Sequence, residues 1–226
     1  MAPGLFDTNQ QLAYDTLRSG IIHAVYQPGV RLSMKSLGED LGMSRTPIRE
    51  ALMRLQQEGL VESVPHSGTY VTYIDTHAAR SALYVRKNLE TAVAVECCSC
   101  SRASDLARID ETLVALAASV EDRDARRFFA WDSYFCRLLF DTVEKDEVWR
   151  WIDGLSVSLD RIRWLITTTE KLDWASVLSQ HRAVRDAIAR RDGAAACELE
   201  SLYLNSMLEH EQTARERFGA YFAPRV

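Results

Sequence analysis

The apolar positions of the first 72 residues fall into three helical stretches followed by two short alternating ones. Leu17, Ile21 and Val25 recur at helical spacing and predict a helix over residues 10–25. The segment Tyr26-Gln27-Pro28-Gly29 breaks it with a turn signal. Leu37 and Leu41 mark a short second helix, residues 33–41, followed by Gly42 where a helix end favours glycine. A third helix starts near Ser44-Arg45-Thr46-Pro47. Ser44 or Thr46 can cap it, and Pro47 lies in the first turn, where a missing N–H costs nothing. Its apolar face reads Ile48, Ala51, Leu52 and Leu55, the i, i+3, i+4, i+7 pattern, and Gly59 ends it. Residues 60–64 and 69–72 read as two strands with Pro65-His66-Ser67-Gly68 as the tip between them. This order of helix, turn, helix, capped helix and hairpin is that of a winged helix-turn-helix.

From residue 76 the pattern changes. Helical periodicity predicts helices near 76–101, 104–121, 124–142, 146–168, 174–191 and 194–217, with no strand pattern. The expected fold is therefore mainly α. A winged helix-turn-helix occupies residues 1–75, an all-α helical bundle occupies residues 76–226, and a short linker near residues 73–77 joins them.

Composition narrows the function classes. At 226 residues with 47% hydrophobic and 26% charged positions, the chain has enough apolar material for a packed core. No apolar run reaches membrane-spanning length, and the start MAPGLFDTNQQ lacks the basic and apolar regions of a signal peptide. The expectation is a cytoplasmic protein without membrane contact. Five cysteines (Cys97, Cys98, Cys100, Cys136 and Cys197) are odd in number and clustered, which reads as reduced thiols rather than a disulfide framework. The net charge is −5, and residues 1–75 hold six Lys and Arg against eight Asp and Glu. A nucleic-acid binder usually carries a basic excess. Here the basic residues are instead concentrated, with Arg31, Lys35, Arg45, Arg49 and Arg54 within 24 residues around the third helix.

The segment PGVRLSMKSLGEDLGMSRTPIREALMRLQQEGLVESVPHSGTYV closely resembles the winged helix-turn-helix of the GntR family, with SRTPIREAL the most specific part. The resemblance implies binding of double-stranded operator DNA. It implies base contacts by Arg45 and Arg49, backbone contacts near Arg31 and Lys35, and a wing tip of His66, Ser67 and Gly68 reaching the minor groove. The chemistry of the residues agrees. An arginine fork fits the O6 and N7 acceptors of guanine, and Ser44 and Thr46 can bond phosphates or base edges. Arg54 sits one turn further along and is placed outside the base-reading set.

The second region resembles the FCD type of GntR effector domain, in the shorter six-helix, vanillate-regulator-like form. The resemblance rests on LYVRKNLE from Leu83, DSYFC from Asp132 and QHRAVRDAI from Gln180. It implies a homodimer responding to a small-molecule effector, for which a carboxylate is expected. Many members hold a divalent metal with one Asp and three His. Asp132 and His181 match that pattern, while Cys136 and Tyr203 stand where two of the histidines would be. Two readings stay open at this point. Asp132, Cys136 and His181 are all competent zinc ligands and could hold a zinc-like ion, or the site is an organic pocket formed by Arg86, Asp132, Cys136, His181 and Tyr203. No cofactor is otherwise implied. Arg86 would meet an acidic effector or pair with Glu90 at i+4.

Smaller expectations complete the picture. Arg161 and Arg163 are expected to face solvent, and the five tryptophans to lie in the core or at the dimer interface. The leading function is a ligand-responsive transcriptional regulator, not an enzyme. The alternatives are a metal-sensing regulator and, less favoured, a Cys136/His181-dependent enzyme, for which no catalytic signature surrounds Cys136.

Overall fold

The first helix carries two faces. In the computed structural model, which describes residues 5–169 and 171–224, α1 spans Leu5–Ile22. Ala13, Leu17 and Ile21 point one way and are buried in a core shared with α3, whereas Arg18 and Ile22 turn toward the helical region. The helix stops before the expected end. Ala24 adopts a left-handed φ of 55°, the Gly20 carbonyl accepts from Val25 and Tyr26, and Val25 is exposed rather than part of the apolar face.

Helix α2 (Met34–Leu41) is capped by the Ser33 hydroxyl, and it ends on Gly42 in the left-handed region at φ 64°, where a side chain would be strained. Helix α3 (Arg45–Gln57) buries Ile48, Ala51, Leu52 and Leu55, as the spacing predicts. The wing is larger than expected. A two-residue strand β1 (Arg31–Leu32) joins β2 (Val61–Val64) and β3 (Gly68–Val71) in an antiparallel sheet of order β1-β3-β2. Two residues are too few to show an alternating pattern, so β1 had no sequence signal.

Among the described residues the remainder is helical, with eight α-helices where six were expected. They are α4 (Thr76–Cys100), α5 (Ala103–Glu121), α6 (Ala125–Thr142), α7 (Asp146–Leu155), α8 (Val157–Thr167), α9 (Trp174–Ala189), α10 (Gly193–Ser206) and α11 (Glu211–Arg217). Aspartates at Asp75, Asp124, Asp173 and Asp192 cap α4, α6, α9 and α10 by accepting backbone N–H groups. The two extra helices come from breaks inside predicted ones. The first falls at the buried Ser156, which ends α7 and starts α8 and whose N–H donates to the Asp153 carbonyl three residues back instead of continuing the i−4 ladder. A second break follows Ser206.

The winged unit and the bundle are fastened together. Val157 of α8 enters the core of the winged unit, while Ile22 and Ile74 enter the core of the bundle. The linker is pinned at Ile74, whose N–H donates to the Tyr221 carbonyl and whose own carbonyl accepts from Ala223. Arg161, expected in solvent, is buried and donates to the Thr72 carbonyl at 2.8 Å. Among the described residues no carboxylate pairs with it, and burial lowers its pKa to about 10.

Candidate functional site

Two separate sites emerge, one on the surface of the winged unit and one inside the bundle. On the surface, Ser44 is the N-cap of α3 but its hydroxyl makes no capping bond, so it stays available. Arg45, Thr46 and Arg49 follow on the first turns, all exposed, and Arg45 and Arg49 have no ion-pair partner among the described residues. Lys35 stands exposed on α2 within 3.9 Å of Glu39. His66 and Ser67 form the exposed wing tip. His66 adopts a left-handed φ of 60°, and the Ser67 hydroxyl bonds the Tyr70 hydroxyl at 2.6 Å.

Gly68 has φ 147°, and a Cβ there would lie 2.6 Å from the Arg31 side chain. The missing side chain therefore lets Arg31 lie across the wing, which brings two of the expected residues together. Arg54 behaves differently. Its guanidinium lies 3.6 Å from the Tyr14 ring centroid and donates to Gln11, which ties it back onto α1.

Inside the bundle, α4, α6, α8, α9 and α10 bring nine polar side chains together. Asp132 is the hub. Its Oδ1 accepts from His181 Nε2 at 2.8 Å and from the Tyr203 hydroxyl at 2.9 Å, and its Oδ2 accepts from Arg163 at 2.6 Å. Arg163 also donates to Asp160 at 2.8 Å. Asp160 stands 3.8 Å from Arg86, whose guanidinium is paired with Glu90. The internal Arg86–Glu90 pair that the i, i+4 spacing offered is thus formed. Cys136 lies 3.8 Å from the Tyr203 hydroxyl, and His181 is stacked on Phe135 at 4.0 Å.

The electrostatics follow from burial and pairing. Burial alone would raise the Asp132 carboxyl, but Arg163 and the bonds from His181 and Tyr203 hold it well below the usual carboxylate range. Burial pushes the Cys136 thiol well up, with Glu90 adding to the effect. Glu200 is fully buried with neither oxygen hydrogen-bonded among the described residues. Burial first, and then Glu90, raise its pKa to about 8.

Arg163 corrects the expectation that it faces solvent, and it bears on the metal. Asp132, Cys136 and His181 do not fit a divalent ion. Both Asp132 oxygens are taken, His181 turns its Nε2 to the carboxylate, and the guanidinium supplies the positive charge an ion would bring. A different trio, Glu90, Cys136 and Glu200, has ligand atoms within 4.8 Å of one another, with Glu90 already held by Arg86. Sequence reasoning missed Arg163, Asp160 and Glu200. One signal was present: apolar residues Leu159, Ile162, Trp164, Leu165 and Ile166 run around all sides of α8, the mark of a buried helix.

A cavity of about 430 Å³ opens beside this cluster, between α1 and the bundle. Arg86 and Arg163 form part of its wall, with Phe129 and Trp149, while Arg18 contributes from α1 and His23 from just past its end. Arg18 donates to Glu58 at the end of α3 (3.3 Å) and pairs with Asp153 of α7 (2.8 Å).

Comparison with known proteins agrees with both regions. Residues 9–71 match the profile of the bacterial regulatory proteins of the gntR family, and residues 81–210 match that of the FCD domain. The chain is 29% identical over 219 residues to the HTH-type transcriptional repressor RspR of Escherichia coli, covering 95% of this chain and 93% of that one. It is 30% identical over 221 residues to an uncharacterized HTH-type transcriptional regulator of Mycobacterium tuberculosis, covering 89% of each. The solved structure of E. coli McbR/YncC superposes with a TM-score of 0.80 at 20% identity, over 91% of this chain and 97% of that one. The winged unit with its exposed arginines and the helical bundle behind it therefore make this chain a member of the GntR family with an FCD domain, a DNA-binding transcriptional regulator.

Proposed function

We propose that residues 1–75 read operator DNA and that residues 76–226 dimerise and bind a small organic acid that modulates this reading. The observation that carries the DNA half is the grouping of Arg45, Thr46 and Arg49, exposed on the first turns of α3 beside an exposed wing tip. The N-terminal end of a recognition helix is what enters the major groove. Ser44, Arg45, Thr46 and Arg49 contact base edges or nearby phosphates, Arg31 and Lys35 hold the backbone, and His66, Ser67 and Gly68 approach the minor groove.

The effector side rests on the arginine-bearing cluster of Arg86, Asp132, Cys136, His181 and Tyr203 next to a cavity of about 430 Å³. A relative 28% identical over 205 residues is named for a galactonate operon, which concerns an organic acid. The reading is a regulator rather than an enzyme. The thiol of Cys136 is pushed up by burial, away from the thiolate a nucleophile requires, and among the described residues its sulfur meets the Tyr203 hydroxyl rather than His181. No resident metal is assigned to Asp132, because Arg163 supplies the charge there.

Selection of binding sites from a random duplex pool tests this reading. The expected result is enrichment of an inverted repeat whose half-sites lie about one helical turn apart, as a two-fold dimer requires. A pool that remains unenriched contradicts it.

A further inference from the structure

The cavity between α1 and the bundle lies where the two regions meet, and one face of α1 is built for it. Asp15, Arg18, Ser19 and Ile22 follow helical spacing and line it, while Leu17 and Ile21 on the other face pack in the core shared with α3. A molecule in this cavity would touch α1 directly, with no further element between it and the winged unit.

The charges lining the cavity are unequally engaged. Arg86 and Arg163 are held from behind by Glu90, Asp160 and Asp132. Arg18 shares itself between Glu58 and Asp153. Arg126, in the first turn of α6, is exposed and has no ion-pair partner among the described residues. The apolar wall comes from Ile22, Phe129 and Trp149. Three carboxylates share the lining: Asp153 and Asp160 are paired with Arg18, Arg86 and Arg163, and Asp15 accepts from Gln11. The unpaired Arg126 beside an apolar, aromatic wall is complementary to an anion on an apolar or aliphatic body.

We propose that this cavity binds a small carboxylate whose charge is held by Arg126 and Arg18 and whose body lies against Phe129 and Trp149, the ligand competing with Asp153 for Arg18. The inference rests on the reading of the chain as an acid-responsive regulator, and it names the site and the coupling. Arg18 is the side chain that joins the end of α3, through Glu58, to α7, through Asp153. A ligand that draws Arg18 from Asp153 loosens the tie between the winged unit and the bundle. It shifts their relative pose by its unequal affinity for the tied and untied states.

The test uses the full chain. Benzoate, adipate and gluconate at millimolar concentration are compared by thermal shift and calorimetry with benzamide, adipamide and sorbitol as uncharged counterparts. At least one acid is expected to bind while its counterpart stays silent. Arg126→Ala, a surface change that leaves the fold intact, is expected to weaken that acid about tenfold, the loss of one charge-assisted contact. Asp153→Asn, which removes the competing carboxylate, is expected to tighten it severalfold. The inference is overturned if acids and uncharged counterparts behave alike, if R126A binds as the wild type does, or if D153N leaves affinity unchanged. Binding of the same preparation to its selected duplex separates the two readings. Operator binding with silent acids removes only this inference, and acid binding without operator binding removes the regulator reading.

Discussion

Arg45 and Arg49 on the winged unit and Arg86 and Arg163 in the bundle are the same residue type in opposite electrical circumstances. The first pair is exposed and unpartnered among the described residues, and the second is buried and tied to Glu90, Asp160 and Asp132. A buried guanidinium costs several kcal/mol in lost hydration and survives only with carboxylates around it. An exposed one bears no such cost and keeps its hydrogen-bonding fork free for a partner outside the chain. Pairing, rather than residue type, divides the arginines into those that organise the interior and those available for recognition.

The comparison breaks first at Arg163. Arg163→Ala leaves Asp132 and Asp160 buried without this cation, and a loss of about 3–5 kcal/mol is expected in urea unfolding. A loss below about 1 kcal/mol would place Arg163 with the exposed class.

Glu200 sharpens the contrast from the acid side. Its pKa, raised from 4.5 to about 8, means that the folded chain keeps a proton the unfolded chain sheds. The stability this contributes is fully present below about pH 4.5 and is lost as pH rises through about 8. Glu200→Gln stays neutral throughout. Relative to the wild type its unfolding midpoint should therefore rise across that window, and parallel pH profiles would contradict the account.

The smallest effect is expected at Lys35, whose partner Glu39 is weakly held at 3.9 Å. Lys35→Ala should weaken all duplexes about equally and lower the slope of log affinity against log salt by about 1. A change in sequence preference would instead mean that Lys35 reads bases.

The winged unit was largely legible in the sequence because its signals are local. The α3 start at Arg45, its buried face and the Gly42 helix end all follow from capping and periodicity within a few residues. The two-residue β1 escaped, and so did both ends of α1, which starts at Leu5 rather than residue 10 and stops at Ile22 rather than residue 25. The bundle was legible as helices through its periodicity, but its interior was not. The Arg86–Glu90 pair could be read from i, i+4 spacing, and the family pattern joined Asp132, Cys136, His181 and Tyr203. The Asp132–Arg163 bond, in contrast, links residues 31 apart on different helices. Nothing in a helical period forecasts such a contact, and a charged residue on an unplaced helix defaults to solvent. The doubly used face of α1 was hidden for the same reason, since its polar residues look solvated until the bundle is placed against them.

The central claim is tested most directly by fluorescence anisotropy of Arg45→Ala and Arg49→Ala on the selected duplex, with unfolding midpoints measured alongside. Each variant is predicted to lose about 1–3 kcal/mol of specific binding while unfolding like the wild type. Wild-type affinity in both variants would contradict the assignment of α3 as the DNA-reading helix.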